Sequence, residues 1–262
     1  MIDYDGKGSL KIALVEFLNA FPLYYALKER VIDNDFMFIP KPPSVCAPLL
    51  RNQEVDIGNV PIVEYAQSKN YKIIKECCIS ATKRVKSVIL ILNKPIHQVK
   101  RVKLDKNSNT SVALTKVLFK YKYNLSVDYV ENDYDCELVI GDRALERLKT
   151  VKEEQVLDLA VEWYKMTSLP FVFATWITNK NITEDTVNLF IKSKEWGVQN
   201  IDTICKDFTH LNNLTTLQLC KDYLQNNISY DLTKEKITAI ELFFNYAYRC
   251  SAIPANNKLE FV

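Results

Sequence analysis

Short apolar runs alternate with segments whose apolar residues recur at helical spacing over the first two thirds of the chain. Residues 11–15 read as a buried strand followed by a helix to Arg30. Residues 36–39 precede a helix over 44–51, and 55–59 precede one through Ala66. Strands alternating with helices in this way predict a parallel sheet covered by helices. Two longer β-rich runs follow at 72–79 and 85–92. The second is almost continuous in Val, Ile and Leu, as a strand buried on both faces requires. Asn93-Lys94-Pro95 then interrupts the chain.

A second set of elements starts with a strand at 99–104, a polar segment at 105–109 and a helix from Thr110 to about Tyr121. Residues 127–130 and 137–140 read as strands, and Gly141-Asp142 opens a helix to about Leu148. After a mixed stretch to Ser168, residues 171–178 are strand-like again. From Thr183 to Tyr248 the pattern is almost wholly helical, broken at 226–231. No internal repeat or low-complexity segment is visible.

Composition narrows the class of protein. With 262 residues, 48% of them hydrophobic and only five Gly, the chain can bury a sizeable core in one or two domains. Lys and Arg number 34 against 32 Asp and Glu, a net charge of +2. Nothing in that balance favours nucleic acid or an anionic membrane, so any preference for anions must be local. Residues 12–27 are apolar enough to suggest an export signal. Glu16, Asn19 and Pro22 interrupt them, however, and no small-residue cleavage site follows, so they read as part of the mature fold. No apolar stretch reaches bilayer length, and the expectation is a cytoplasmic protein without membrane insertion.

The seven cysteines, Cys46, Cys77, Cys78, Cys136, Cys205, Cys220 and Cys250, are odd in number and scattered, and they read as reduced, mostly buried thiols. His97 and His210 are the only two histidines and have no partner at zinc spacing, so neither a metal site nor a His-based triad is expected. There is also no Gly-rich dinucleotide turn, and no cofactor is expected.

Candidate chemistry begins where the first strand ends, at Glu16-Phe17-Leu18-Asn19-Ala20-Phe21-Pro22-Leu23. A strand that breaks into a polar Asn and a helix opening around Pro22 places an amide and free N–H groups at a strand's carboxyl end, where open α/β sheets bind ligands. Asn is equally a preferred helix cap, so the residue alone supports either role. Asn107-Ser108-Asn109-Thr110-Ser111, at a predicted helix start, is either an ordinary cap or an anion cradle. The partial positive charge of a helix N-terminus contributes ~0.3–1 kcal/mol to a carboxylate held there.

Together with Arg84-Val85-Lys86-Ser87-Val88-Ile89-Leu90 and Leu169-Pro170-Phe171-Val172-Phe173-Ala174-Thr175-Trp176, these segments resemble, in order and separation, the chorismate dehydratase family of the futalosine route to menaquinone. The resemblance runs from about Lys11 to Tyr246. It implies an α/β, two-lobed type II periplasmic-binding-protein-like fold with mixed sheets and a helical C-terminal tail. Residues 10–92 plus 177–262 would form one lobe and 93–176 an inserted second one. Two strands would cross near Leu92 and Thr175, leaving a ligand cleft between the lobes.

The same resemblance implies a hydro-lyase acting on chorismate, with Asn19 and Ser87 as the residues at the reacting edge. Ser108, Asn109, Thr110 and Ser111 would hold a substrate carboxylate. Pro61 and Ile62, in a strand-to-helix turn, and Gly141 and Asp142, in a Gly-Asp turn, would line the site. Asp142 also reads simply as a helix cap. The chain departs from the family at Asn109, where many members carry Arg, and at Ile62, where a Ser often follows the Pro. Lys83, Arg84 or Lys86, flanking Ser87, are the candidates to supply the missing positive charge. Because one scaffold serves receptors and enzymes alike, a non-catalytic cytoplasmic binding protein for a small carboxylate stays open. So does the sister enzyme acting on cyclic de-hypoxanthine futalosine, although its usual His is hard to place here.

Overall fold

A computed structural model of the chain describes residues 9–211 and 216–262. Four strands open it: β1 (Lys11–Leu14), β2 (Met37–Pro40), β3 (Ile57–Pro61) and β4 (Lys72–Ala81). Five more follow: β5 (Val88–Leu92), β6 (Arg101–Lys103), β7 (Asp128–Tyr129), β8 (Cys136–Ile140) and β9 (Val156–Asp158). The last is β10 (Phe171–Thr178). They form two five-stranded mixed sheets, one in the order β2-β1-β3-β10-β4 and the other in the order β7-β6-β8-β5-β9. β1 runs parallel to β2 and β3, whereas β10 is antiparallel to both β3 and β4. In the second sheet β5 is antiparallel to β8 and β9, and β6 is parallel to β7 and β8.

The chain passes between the sheets at other points than the family resemblance implies. β5 is paired wholly within the second sheet and β10 wholly within the first, so the crossings lie at 82–87 and 168–170 rather than near Leu92 and Thr175. A strand buried on both faces has the same hydropathy in either sheet, so its composition does not say which sheet it joins. The crossings fall instead where the backbone must turn: Lys86 (φ 62°) and Ser168 (φ 60°) both sit in the left-handed region.

Nine helices are described: α1 (Phe21–Lys28), α2 (Pro43–Arg51), α3 (Asn109–Val117), α4 (Gly141–Arg147), α5 (Leu159–Thr167), α6 (Glu184–Gln199), α7 (Ile201–Leu211), α8 (Leu217–Asn226) and α9 (Lys234–Arg249). α5 lies in the stretch that the sequence pattern leaves mixed. Its start is marked by Asp158, whose Oδ1 accepts from the Ala160 and Val161 N–H groups. The segments expected as helix ends at 62–66 and 118–121 are a tight turn at Ile62–Gln67 and a widened one at Leu118–Lys122. The helical tail is as the pattern predicts, with the break at 226–231 leading from α8 to α9. Residues 212–215, part of that expectation, lie outside the described residues.

The main apolar core continues through both sheets, and Ile89, Ile91, Val139 and Ala144 form a smaller separate cluster in the second sheet and α4. The edge of Trp163 on α5 meets Phe171 on β10 at 5.5 Å and Phe243 on α9 at 5.9 Å, so the aromatic-rich segment at 162–173 is core structure. α6 crosses the start of α1 so closely that a Cβ on Gly197 would lie 2.0 Å from the Pro22 carbonyl oxygen. Only glycine fits there, and the contact fixes the turn that carries Asn19. Cys205 on α7 and Cys220 on α8 form a disulfide, with Cα atoms 5.8 Å apart, contrary to the expectation of seven reduced thiols. Scattered spacing does not reveal that two neighbouring helices lay one buried Cys each against the other. No helix among the described residues is long and apolar enough to cross a membrane.

Candidate active site

Between the sheets lies a cavity, placed as small-molecule sites commonly are, in a cleft between two lobes. Its walls come from strand ends and the turns beside them. β1 leads through Val15 and Phe17 into the turn Leu18–Ala20, which presents Asn19 at the start of α1. β3 contributes Asn59, Val60 and Pro61, and β10 contributes Phe173 and Ala174. From the other side come Ser87 at the mouth of β5, Asn107, Ser108 and Ser111 at the start of α3, and Gly141 at the start of α4.

Ser87 is held by a set of contacts made from several elements. Its N–H donates to the Val85 carbonyl at 2.7 Å, and its carbonyl accepts from the Gly141 N–H at 2.8 Å. The left-handed turn at Lys86 is pinned by its N–H, which donates to Asp158 Oδ2 at 2.7 Å while the other carboxylate oxygen caps α5. The Tyr223 hydroxyl, on α8, donates to Ser87 Oγ at 2.7 Å, and the Asn19 side chain interacts with the same hydroxyl. Complete burial pushes the Tyr223 pKa up, so this phenol keeps its proton. Next to it, Lys86 Nζ and Asp222 Oδ2 are 2.8 Å apart, and α8 is thus fastened to the crossing segment at two successive residues. Sequence reasoning missed Tyr223, since an aromatic at helical spacing reads as core.

The start of α3 divides its hydroxyls. Ser108 caps the helix by accepting from the Ser111 N–H, and the two hydroxyls are 2.9 Å apart at the cavity wall. Thr110 is fully buried and turned away, its Oγ1 accepting from the Val63 N–H at 3.4 Å across the lobes. Asn109 is exposed and outside the lining, and Ile62 is buried in the core behind Pro61. The expected set is therefore brought together in part. Asn19, Pro61, Ser87, Ser108, Ser111 and Gly141 line the cavity, whereas Asn109, Thr110 and Ile62 do not.

Gly141 adopts a left-handed φ of 63°, with the Phe17 ring 3.4 Å from where a Cβ would stand. Asp142 faces an adjoining outer cleft with Glu16, Lys41, Asp105 and Arg143. Burial raises its carboxyl from 3.8 to about 6, opposed by a hydrogen bond from the Leu18 N–H. Among the described residues no charged side chain lines the inner cavity. Lys83 and Arg84 line a separate surface hollow with residues 226–229, Arg84 pairs with Glu153, and Lys86 pairs with Asp222. Lys41 and Arg143 are cations of the outer cleft. Among the described residues no cluster of His, Cys, Asp and Glu has the arrangement to hold a metal, and His97 and His210 are both exposed and away from the cavity.

Two lobes, mixed sheets and a cavity between them define a protein of the periplasmic-binding-protein fold, and solved structures agree. A protein of Archaeoglobus fulgidus superposes with a TM-score of 0.76 at 12% identity, over 94% of this chain and 98% of its own. The alkanesulfonate-binding protein SsuA of Xanthomonas axonopodis pv. citri does so at 0.65 and 12%, over 98% and 97%. At such identities the likeness concerns the fold alone. The chain belongs to the menaquinone biosynthesis family, whose model matches residues 10–249. It is 28% identical to the chorismate dehydratase of Thermus thermophilus over 188 residues, 63% of this chain and 68% of that one. The chorismate dehydratase of Campylobacter jejuni is also 28% identical, over 186 residues, 69% and 73% of the two chains.

Proposed function

We propose that this protein is a chorismate dehydratase of the futalosine route to menaquinone, acting in the cytoplasm. The observation that carries the reading is the hydrogen-bonded set of Asn19, Tyr223 and Ser87, in which Asn19 and Ser87 line a cavity that has no charged side chain among its described lining residues. Loss of water from chorismate gives 3-[(1-carboxyvinyl)oxy]benzoate, with the enolpyruvyl group retained. The departing ring hydrogen is vinylogous to the ring carboxylate, into which the developing negative charge delocalises, and the ring becomes aromatic as the hydroxyl leaves. Such a reaction requires positioning more than strong acid or base groups.

In this reading Ser108, Ser111 and the first N–H groups of α3 hold one carboxylate, and Asn19 and Ser87 orient the departing hydroxyl and reacting edge. The hydrogen bond from Tyr223 holds Ser87 Oγ in place at the cavity wall. The base is the substrate's own side-chain carboxylate, and no cofactor takes part. Purified protein mixed with chorismate and followed by mass spectrometry tests this: the expected product is lighter by one water. Binding without conversion would favour the receptor reading instead. The positions of His97 and His210, away from the cavity, speak against the sister enzyme.

A further inference from the structure

Three amides line the cavity, and two of them are engaged. Asn107 donates to Asp105 Oδ1 at 3.0 Å, and Asn19 interacts with the Tyr223 hydroxyl. The third, Asn59 on β3, is only 1% exposed, and its Nδ2 has no partner among the described residues. A donor buried in this way is costly to leave unmade, and native interiors rarely retain one without a reason. Its surroundings are otherwise apolar: Pro61, Ile79, Phe173 and Ala174 belong to the same wall. Trp176, directly opposite Asn59 in the antiparallel β3–β10 register, is fully buried and its Nε1 likewise has no partner among the described residues. Trp176 packs against Phe190 on α6 and is outside the lining, so of these two donors only Asn59 reaches the cavity.

We propose that Asn59 is a substrate-binding residue whose amide hydrogen-bonds a neutral oxygen of the ligand, a hydroxyl or ether, at the cavity floor. This rests on the dehydratase reading and extends it to a residue of the floor. A carboxylate is the wrong partner for this position, because a desolvated anion against the neighbouring Pro61, Ile79, Phe173 and Ala174 is strongly disfavoured. Carboxylates belong at the opposite wall, where the start of α3 offers hydroxyls and N–H groups. An Asn suits the floor because χ2 is broad and either end of the amide can be turned to the ligand.

The test is Asn59→Leu, close in size and without polar atoms, assayed with chorismate alongside the parent protein. The expected result is a KM about 10-fold higher or more, with kcat changed far less and a melting temperature of the ligand-free protein unchanged or raised, since an unpaired buried amide has been removed. Asn59→Asp, which places an anion on the apolar floor, is expected to weaken binding further than Leu does. A parent protein that dehydrates chorismate while Asn59→Leu keeps its KM would overturn this inference and leave the dehydratase reading standing. A lower melting temperature for the Leu variant with KM unmoved, the signature of an amide satisfied by an internal water, would overturn it equally. A parent protein that neither binds nor converts chorismate would overturn both.

Discussion

The Tyr223 hydroxyl donates to Ser87 Oγ at 2.7 Å, joining the helical tail to the mouth of a strand 136 residues earlier. The bond is wholly buried and lies on the cavity wall beside Asn19. It makes Tyr223 a positioning residue: removing its hydroxyl takes away the bond that holds Ser87 Oγ and frees the side chain to rotate.

Tyr223→Phe keeps the ring and its packing and removes one hydrogen bond. The expected loss of stability is about 0.5–1.5 kcal/mol. Turnover is expected to fall roughly 10-fold or more with a smaller change in KM, because orientation of Ser87 matters most as the hydroxyl departs. Steady-state kinetics and thermal melts on the same preparation separate the two effects; loss of stability with unchanged kcat would reduce Tyr223 to a core residue.

At the α3 start the hydroxyls have divided roles. Ser108→Ala combined with Ser111→Ala is expected to weaken chorismate binding by ~1–3 kcal/mol through lost hydrogen bonds to a charged group. Thr110→Ala, whose hydroxyl accepts from Val63 N–H across the lobes, is expected to lower stability and leave the binding constant nearly unmoved. Calorimetric titration of a turnover-deficient Asn19→Ala background reads the difference.

Asp142 gives a pH dependence of defined sign. Its carboxyl is raised from 3.8 to about 6 by burial, so the folded protein holds a proton that the unfolded chain has released between those values. The contribution to stability is complete below about 4 and is lost as the pH rises through about 6. Asp142→Asn keeps an acceptor for the Leu18 N–H and avoids the cost of the buried charge. It should melt above the parent at about pH 8, with the gap closing as the pH falls from about 6 to about 4. A gap that widens on acidification would refute the assignment.

The Cys205–Cys220 disulfide joins α7 to α8, the helix that carries Tyr223. Five cysteines are free in the folded protein. Alkylation under denaturing, non-reducing conditions should modify those five, and prior reduction should expose all seven. Reduction should also lower the melting temperature, since cross-links of this loop length contribute ~3 kcal/mol in the chain-entropy account. Seven modified thiols without reductant would show the pair to be open in solution.

What the chain determines by itself is local and periodic. The alternation of apolar runs and helical patterns announces an α/β protein with a helical tail, because burial of a strand face or helix stripe is written in the spacing of its own residues. Asn19, Ser108 and Gly141 were legible as candidates for the same reason, each marking a place where a strand ends or a helix starts, whereas Ser87, at the mouth of a strand, was singled out only by the family resemblance. Tertiary structure decided the rest. β5 and β10 exchange sheets relative to expectation because doubly buried strands look alike in sequence. Thr110 faces Val63 rather than the cavity, although it is one residue from Ser111, because successive helical residues point about 100° apart and only docking selects the face. Tyr223 and Asn59 become site residues through contacts from other parts of the chain: one from a helix that reads as core, the other from a strand whose amide shows itself unpartnered only when its neighbours are in place.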